Sequence, residues 1–283
     1  MTEIPEHLLK RSRDRKAAGG DAPSTEVSPG AAVPATTGAT TPTARVLVDA
    51  EAQKPAKKPD PAYITAAKTR GRIPSWAMAT LALMPIFLFM YVRGLEPQNA
   101  VSVAEVLVDA GFQIIEVPLN SPQPFDSISK IAKGHGANAI VGAGTVLTVP
   151  DVHAVAEAGG QIIVSPNMNP DVGRAAIDRG LYWCPGVITP TEAFAALEIG
   201  AAVLKIFPAE MVPPSAVAAV RAVLPVDTFV AVVGGISPDN MEPYWNAGTN
   251  GFGLGSALFK PSYSVEEIAK RAQAFMKAIK EIT

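Results

Sequence analysis

Ala202-Val203-Leu204-Lys205-Ile206-Phe207-Pro208 is the stretch on which the fold turns. It is apolar on both sides of a single lysine, follows Gly200 and stops at Pro208, the punctuation of a short buried strand. An ammonium group in a low-dielectric site favours its neutral form. A neutral amine near pH 7 attacks carbonyl carbon, as Schiff-base lysines do. The other reading of Lys205 is a strand-end lysine whose stem is buried while its head reaches water. Glu116 repeats the pattern in Gln113-Ile114-Ile115-Glu116-Val117-Pro118-Leu119. Ionised side chains are rarely buried without a partner. Two lone charges of opposite sign in separate apolar strands therefore point either to a shared site or to a structural ion pair.

Outward from Lys205 the chain is rhythmic. Candidate strands lie at 113–118, 138–142, 161–165, 181–184, 202–207, 228–233 and 251–254. Alanine-rich amphipathic segments at 97–110, 122–134, 149–158, 170–179, 190–199, 213–223, 238–247 and 264–281 separate them. Gly111, Gly159, Gly180, Gly200 and Gly248 each stand between a helix and a strand, where helix C-caps belong. Strands alternating with helices imply parallel pairing and right-handed crossovers. The beat of about twenty to twenty-four residues is that of a compact (β/α)8 TIM barrel over residues 93–283.

Seven strands follow Gly94 where a barrel needs eight, so strand one must lie at Ile86 to Val92. That segment has a second claimant. Residues 73–92, IPSWAMATLALMPIFLFMYV, carry no charge over about the length of a membrane span. Trp76 and Tyr91 stand near the ends, and Lys68, Arg70 and Arg72 precede the stretch. Residues 86–92 cannot pair in a sheet and cross lipid in one molecule. Length and hydrophobicity favour the single-pass helix. Residues 1–72 are polar, rich in Pro, Ala, Thr and Lys, and read as a disordered tail.

The formal net charge of -2 gives no electrostatic footprint for nucleic acid. Cys184 is the single cysteine, which excludes an intramolecular disulfide, and His7, His135 and His153 form no ligand pattern. In a barrel of this type the reactive groups stand at the C-terminal ends of the strands. The unusual residues of this chain fall there. Arg93-Gly94 ends strand one, Glu116 strand two, Gly142-Ala143-Gly144-Thr145 strand three and Ser165-Pro166-Asn167 strand four. Cys184-Pro185-Gly186 ends strand five, Lys205 lies in strand six, Val233-Gly234-Gly235-Ile236-Ser237 ends strand seven and Gly253-Leu254-Gly255-Ser256 strand eight. Glycine-rich loops after strands seven and eight are where barrels hold phosphate on backbone N–H groups.

The runs EVPLNS at 116–121, GAGTV at 142–146, SPN at 165–167, CPG at 184–186, LKIFPAE at 204–210 and VGGISPDN at 233–240 resemble the class I aldolases of 2-keto-3-deoxy-6-phospho sugar acids. The likeness covers about residues 93 to 282 in order and spacing. Asn120-Ser121 and Val233 stand where the gluconate (KDPG) branch shows an Arg-Thr pair and a threonine, so the chain resembles the phosphogalactonate (KDPGal) branch. The resemblance implies reversible cleavage of 2-dehydro-3-deoxy-6-phospho-D-galactonate to pyruvate and D-glyceraldehyde 3-phosphate. It implies Lys205 as Schiff-base former and Glu116 as proton carrier. Gly144 and Thr145 would hold the carboxylate, Pro166 and Phe207 would wall the pyruvyl end, and Val233 would set the epimer preference. Gly234, Gly235, Gly255 and Ser256 would hold the phosphate, and Arg93 either anion. No metal or cofactor is implied, since the iminium takes the place of a Lewis acid. A cytoplasmic homotrimer acting on a small phosphorylated acid is implied as well. The gluconate epimer is the alternative substrate. Residues 1–92 resemble the N-terminus of a membrane-anchored respiratory cytochrome subunit, which leaves a second alternative, a membrane-tethered fusion with an incomplete, inactive barrel.

Overall fold

The computed structural model describes residues 87–283. The tail expected over 1–72, and the apolar segment before residue 87, lie outside the described residues. Among the described residues the first element is a strand, β1 (Phe87–Tyr91). After it come α1 (Ala100–Ala110), β2 (Ile114–Pro118), α2 (Pro124–His135), β3 (Ile140–Gly144), α3 (Val149–Glu157) and β4 (Ile162–Val164). The chain continues through α4 (Pro170–Asp178), β5 (Tyr182–Cys184), β6 (Gly186–Val187), α5 (Pro190–Ile199) and β7 (Leu204–Ile206). It ends with α6 (Pro214–Arg221), β8 (Val230–Val233), α7 (Met241–Asn246), β9 (Gly251–Leu254) and α8 (Val265–Ile282).

The strand reading of Ile86 to Val92 holds over Phe87–Tyr91, and the membrane-helix reading of 73–92 is corrected there. Phe89 pairs with Ile114 and Tyr91 with Glu116 on one side, while Phe87 to Met90 pair with Gly251 to Leu254 on the other. The physical reason is closure: without β1, both β2 and β9 would present unpaired backbone edges. No helix among the described residues is long and apolar enough to cross a membrane. The membrane partnership expected through 73–92 therefore has no support in residues 87–92.

All pairings are parallel, in the order β5-β4-β3-β2-β1-β9-β8-β7-β6. The two ends of that order, β5 and β6, are consecutive pieces of one barrel strand broken at Pro185, which has no N–H to give a ladder. The piece is bonded on both flanks. Ser165 N–H donates to the Cys184 carbonyl at 3.1 Å, Ala202 N–H to Trp183 at 2.8 Å and Lys205 N–H to Pro185 at 3.0 Å. Nine strands thus occupy eight barrel positions.

Strand side chains alternate between two cores, as the period of two demands. Leu88, Met90, Ile115, Trp183, Leu204 and Phe252 point out and pack under the helices with Leu107, Ile131 and Phe275. Phe89, Ile114, Ile140, Ile162, Val164, Cys184, Ala231 and Val233 fill the barrel interior. Each large apolar side chain buried this way contributes about 1.5–3 kcal/mol relative to exposure.

Local chemistry sets where the helices start. Thr148, Asn169 and Ser264 accept N-cap hydrogen bonds, and Thr189 forms a reciprocal capping box with Glu192. Gly111 and Gly200 end α1 and α5 at φ 106° and 112°, a region that costs other residues steric strain. The helix expected over 238–247 is split: Pro238–Asn240 is a 3-10 turn and α7 begins at Met241.

Candidate active site

Glu116 and Lys205 both face the barrel interior, near enough for their charges to interact but not paired as a salt bridge. Glu116 is the third residue of β2, fully buried at 0% exposure, and Lys205 is the second residue of β7, at 5%. Both share the inward face with Ile114 below Glu116 and Phe207 beyond Lys205. Among the described residues neither Glu116 carboxyl oxygen has a hydrogen-bond partner. Burial raises the Glu116 carboxyl from its ordinary 4.5 to about 7, with the Lys205 charge pulling the other way. The same Lys205 charge opposes, and Glu116 reinforces, the burial that pushes the Cys184 thiol up to about 12. One lysine, one carboxyl and one protonated thiol thus share a low-dielectric chamber. Lys205 Nζ lies 4.6 Å from the centroid of the Phe207 ring, which covers the amine on one side.

Gly144 ends β3 beside this pair. A Cβ there would collide with the Glu116 carboxylate, so the absence of a side chain is what leaves Glu116 its place. The next residue, Thr145, has φ 57°, a genuine outlier for a β-branched side chain. Such conformers cost about 1–3 kcal/mol and concentrate at functional sites. Gln123, on the loop after β2, is the other non-glycine at positive φ among the described residues.

The remaining candidates occupy the same rim. Phe207 and Pro166 are half-buried, and the Pro166 carbonyl packs so closely on Gly186 that a side chain at 186 would strike it. Val233 is buried against Gly253, where a Cβ would come within 2.7 Å of it. Gly234 and Gly235 follow β8 at φ 106° and 63°, and their loop is tied by the Asn240 amide donating to the Gly235 carbonyl at 2.8 Å. Among the described residues no protein acceptor engages the N–H of Gly235, Ile236 or Ser256. Ser256 is exposed, and Gly255 packs on the Tyr91 ring at 3.2 Å from its Cβ position. Arg93 is exposed and forms no ion pair among the described residues.

Sequence reasoning missed three residues here. Tyr91 stands level with Glu116 across the β1–β2 pairing and touches Gly255. The alternation Phe89, Tyr91, Arg93 carried that signal, but only once β1 is read as a strand. Ser121 accepts from the Gly94 N–H at 3.0 Å and so ties the loop after β1 to the loop after β2. Glu210 lies against the double glycine, a contact between two loops that no local pattern reveals.

A lysine and a carboxyl inside one parallel barrel, beneath loops whose N–H groups have no acceptor among the described residues, suit imine chemistry on a small anionic carbonyl compound. Residues 79–278 match the family model for KDPG and KHG aldolases. The chain belongs to that family. The match begins at residue 79, within the apolar segment. This aldolase is 47% identical over 191 residues to the probable 2-dehydro-3-deoxy-6-phosphogalactonate aldolase of Rhizobium meliloti (strain 1021), covering 68% of this chain and 90% of the relative. It is 46% identical over 194 residues to the 2-dehydro-3-deoxy-6-phosphogalactonate aldolase of Escherichia coli (strain K12), covering 69% and 95%. A solved structure described as native KDPGal superposes with a TM-score of 0.68 at 46% identity, over 69% of this chain and 95% of that one.

Proposed function

We propose that this chain is a class I aldolase that cleaves 2-dehydro-3-deoxy-6-phospho-D-galactonate to pyruvate and D-glyceraldehyde 3-phosphate. The observation that carries the reading is a buried Lys205 within electrostatic reach of a fully buried Glu116 that has no hydrogen-bond partner among the described residues. Lys205 Nζ attacks the C2 ketone, and the carbinolamine loses water to give an iminium. The Glu116 carboxylate takes the C4 hydroxyl proton as the C3–C4 bond breaks and its electrons pass to the iminium, forming an enamine. D-Glyceraldehyde 3-phosphate leaves. Glu116 returns the proton to C3, and water releases pyruvate and the free amine. A group held near pH 7 serves as both acceptor and donor in such a cycle.

The rim supplies the binding groups. Gly144 and Thr145 face the substrate carboxylate, Pro166 and Phe207 enclose the pyruvyl carbons, and Arg93 reaches one of the anions. The free N–H groups around Gly234, Gly235, Gly255 and Ser256 receive the phosphate. Val233 and Asn120 favour the galactonate epimer, in keeping with the names of the two relatives. Assayed by pyruvate release, kcat/KM should be higher for the galactonate than for the gluconate epimer. Val233→Thr, which adds a hydroxyl near C4, should narrow the ratio. A wild-type preference for gluconate, or a ratio that Val233→Thr leaves unmoved, contradicts the assignment.

The assembly we infer is a homotrimer. Leu147, Ile188 and Met211, exposed at 47%, 38% and 70% on the loops after β3, β6 and β7, are apolar surface that a neighbouring copy would cover. Sedimentation equilibrium should give about three times the chain mass of 29.5 kDa, and a monomer at micromolar concentration rules the trimer out.

A further inference from the structure

We propose that Glu210 is a resident anion on the double-glycine loop, one that competes with the phosphate of the substrate and thereby sets the affinity for it. The proposal rests on the reading of that loop as the phosphate site. Glu210 stands in the short 3-10 turn Ala209–Met211 that follows β7. A Cβ built on Gly234 would lie 2.5 Å from Glu210 Oε2, and one built on Gly235 would lie 3.0 Å from Oε1 and from Cγ. The carboxylate therefore lies across both glycines, and the side-chain-free face of the loop is filled by Glu210.

The carboxylate is also uncompensated. Among the described residues Glu210 has no hydrogen bond and no ion pair. An unpaired acidic side chain thus lies over the Cβ-side face of Gly234 and Gly235, in a loop whose Gly235 and Ile236 N–H groups have no acceptor among the described residues. Its position is fixed from behind. The Tyr244 hydroxyl lies 3.2 Å from both the Ala209 and Val212 carbonyls, tying the turn to α7, the helix that follows the glycine loop. The Glu210 charge also adds to the burial that raises the Tyr244 phenol. A phosphate approaching the loop meets a like charge within a few ångströms and must displace it. At a solvent-exposed rim that repulsion weakens binding by about tenfold.

The test uses the full chain and Glu210→Gln, which keeps the shape and removes the charge. Inorganic phosphate is titrated calorimetrically into both, and KM is measured for the phosphorylated sugar acid. Glu210→Gln should bind phosphate about tenfold more tightly and show a similarly lower KM, and the gap should shrink as salt is raised. Equal or weaker phosphate binding by Glu210→Gln, including no binding by either protein, overturns the proposal. Proton exchange at the pyruvate methyl group needs Lys205 and Glu116 but no phosphate. Its absence in the wild type would sink the aldolase reading while leaving the phosphate titration to judge Glu210.

Discussion

Glu116→Gln is expected to lose about 10²–10⁴-fold in kcat while becoming more stable above neutral pH. The two effects have one cause. Glu116 is fully buried without a hydrogen-bond partner, and burial lifts its carboxyl from 4.5 to about 7. Between those values the folded protein holds a proton that the unfolded chain has released. Stability from this group is therefore fully present below about pH 4.5 and is lost as pH rises through about 7. At about 1.4 kcal/mol per tenfold change in proton affinity, the ionised carboxylate costs on the order of 3 kcal/mol at pH 8. Glutamine has no such dependence. Chemical denaturation of both proteins at pH 5 and pH 8 should show Glu116→Gln gaining on the wild type at the higher pH. The wild-type rate should climb through about pH 7 as Glu116 ionises to accept the C4 proton. A variant with near-normal turnover, or a stability gap that does not grow with pH, removes Glu116 from the role given to it.

Lys205→Ala should be the most damaging single change, with a loss on the order of 10⁵-fold or more, because it removes the atom that forms the covalent bond. It also removes the positive charge that restrains the Glu116 carboxyl, so the remaining acid rises further and becomes a poorer base at pH 7. Lys205→Arg separates the two effects. Arginine restores the charge beside Glu116 but stays protonated and cannot form an imine. Both variants should be inactive. Measurable cleavage by either one would mean that the reaction does not pass through Lys205.

The barrel was legible where the chain alternates between periods of two and of three to four. Each strand expected after Gly94 is present, within a few residues at its ends. Strand one was ambiguous for a physical reason: an uncharged run satisfies a bilayer and a barrel core equally well. Only its partners decide, and Ile114, Glu116 and Gly251 stand far away in sequence. The break at Pro185 was visible as a Cys-Pro-Gly turn, but its consequence, one barrel strand in two pieces, depends on hydrogen bonds from Ser165, Ala202 and Lys205. The chemical pair was legible because charges inside apolar runs violate the ordinary pattern. What the pattern hid were contacts across strands and loops. Gly144 leaves room for the Glu116 carboxylate, Ser121 holds Gly94, and Glu210 covers Gly234 and Gly235. In each case the absence of a Cβ, or the reach of a hydroxyl, has meaning only once two distant elements are neighbours.

The central claim is that Lys205 carries the substrate as an imine, and borohydride trapping tests it most directly. The full chain is treated with pyruvate and sodium borohydride, digested and examined by mass spectrometry. The account predicts a reduced pyruvyl adduct on the peptide containing Lys205, absent when pyruvate is omitted and absent from Lys205→Arg. An unmodified Lys205 in an enzyme that cleaves its substrate, or an adduct on another lysine, would contradict it.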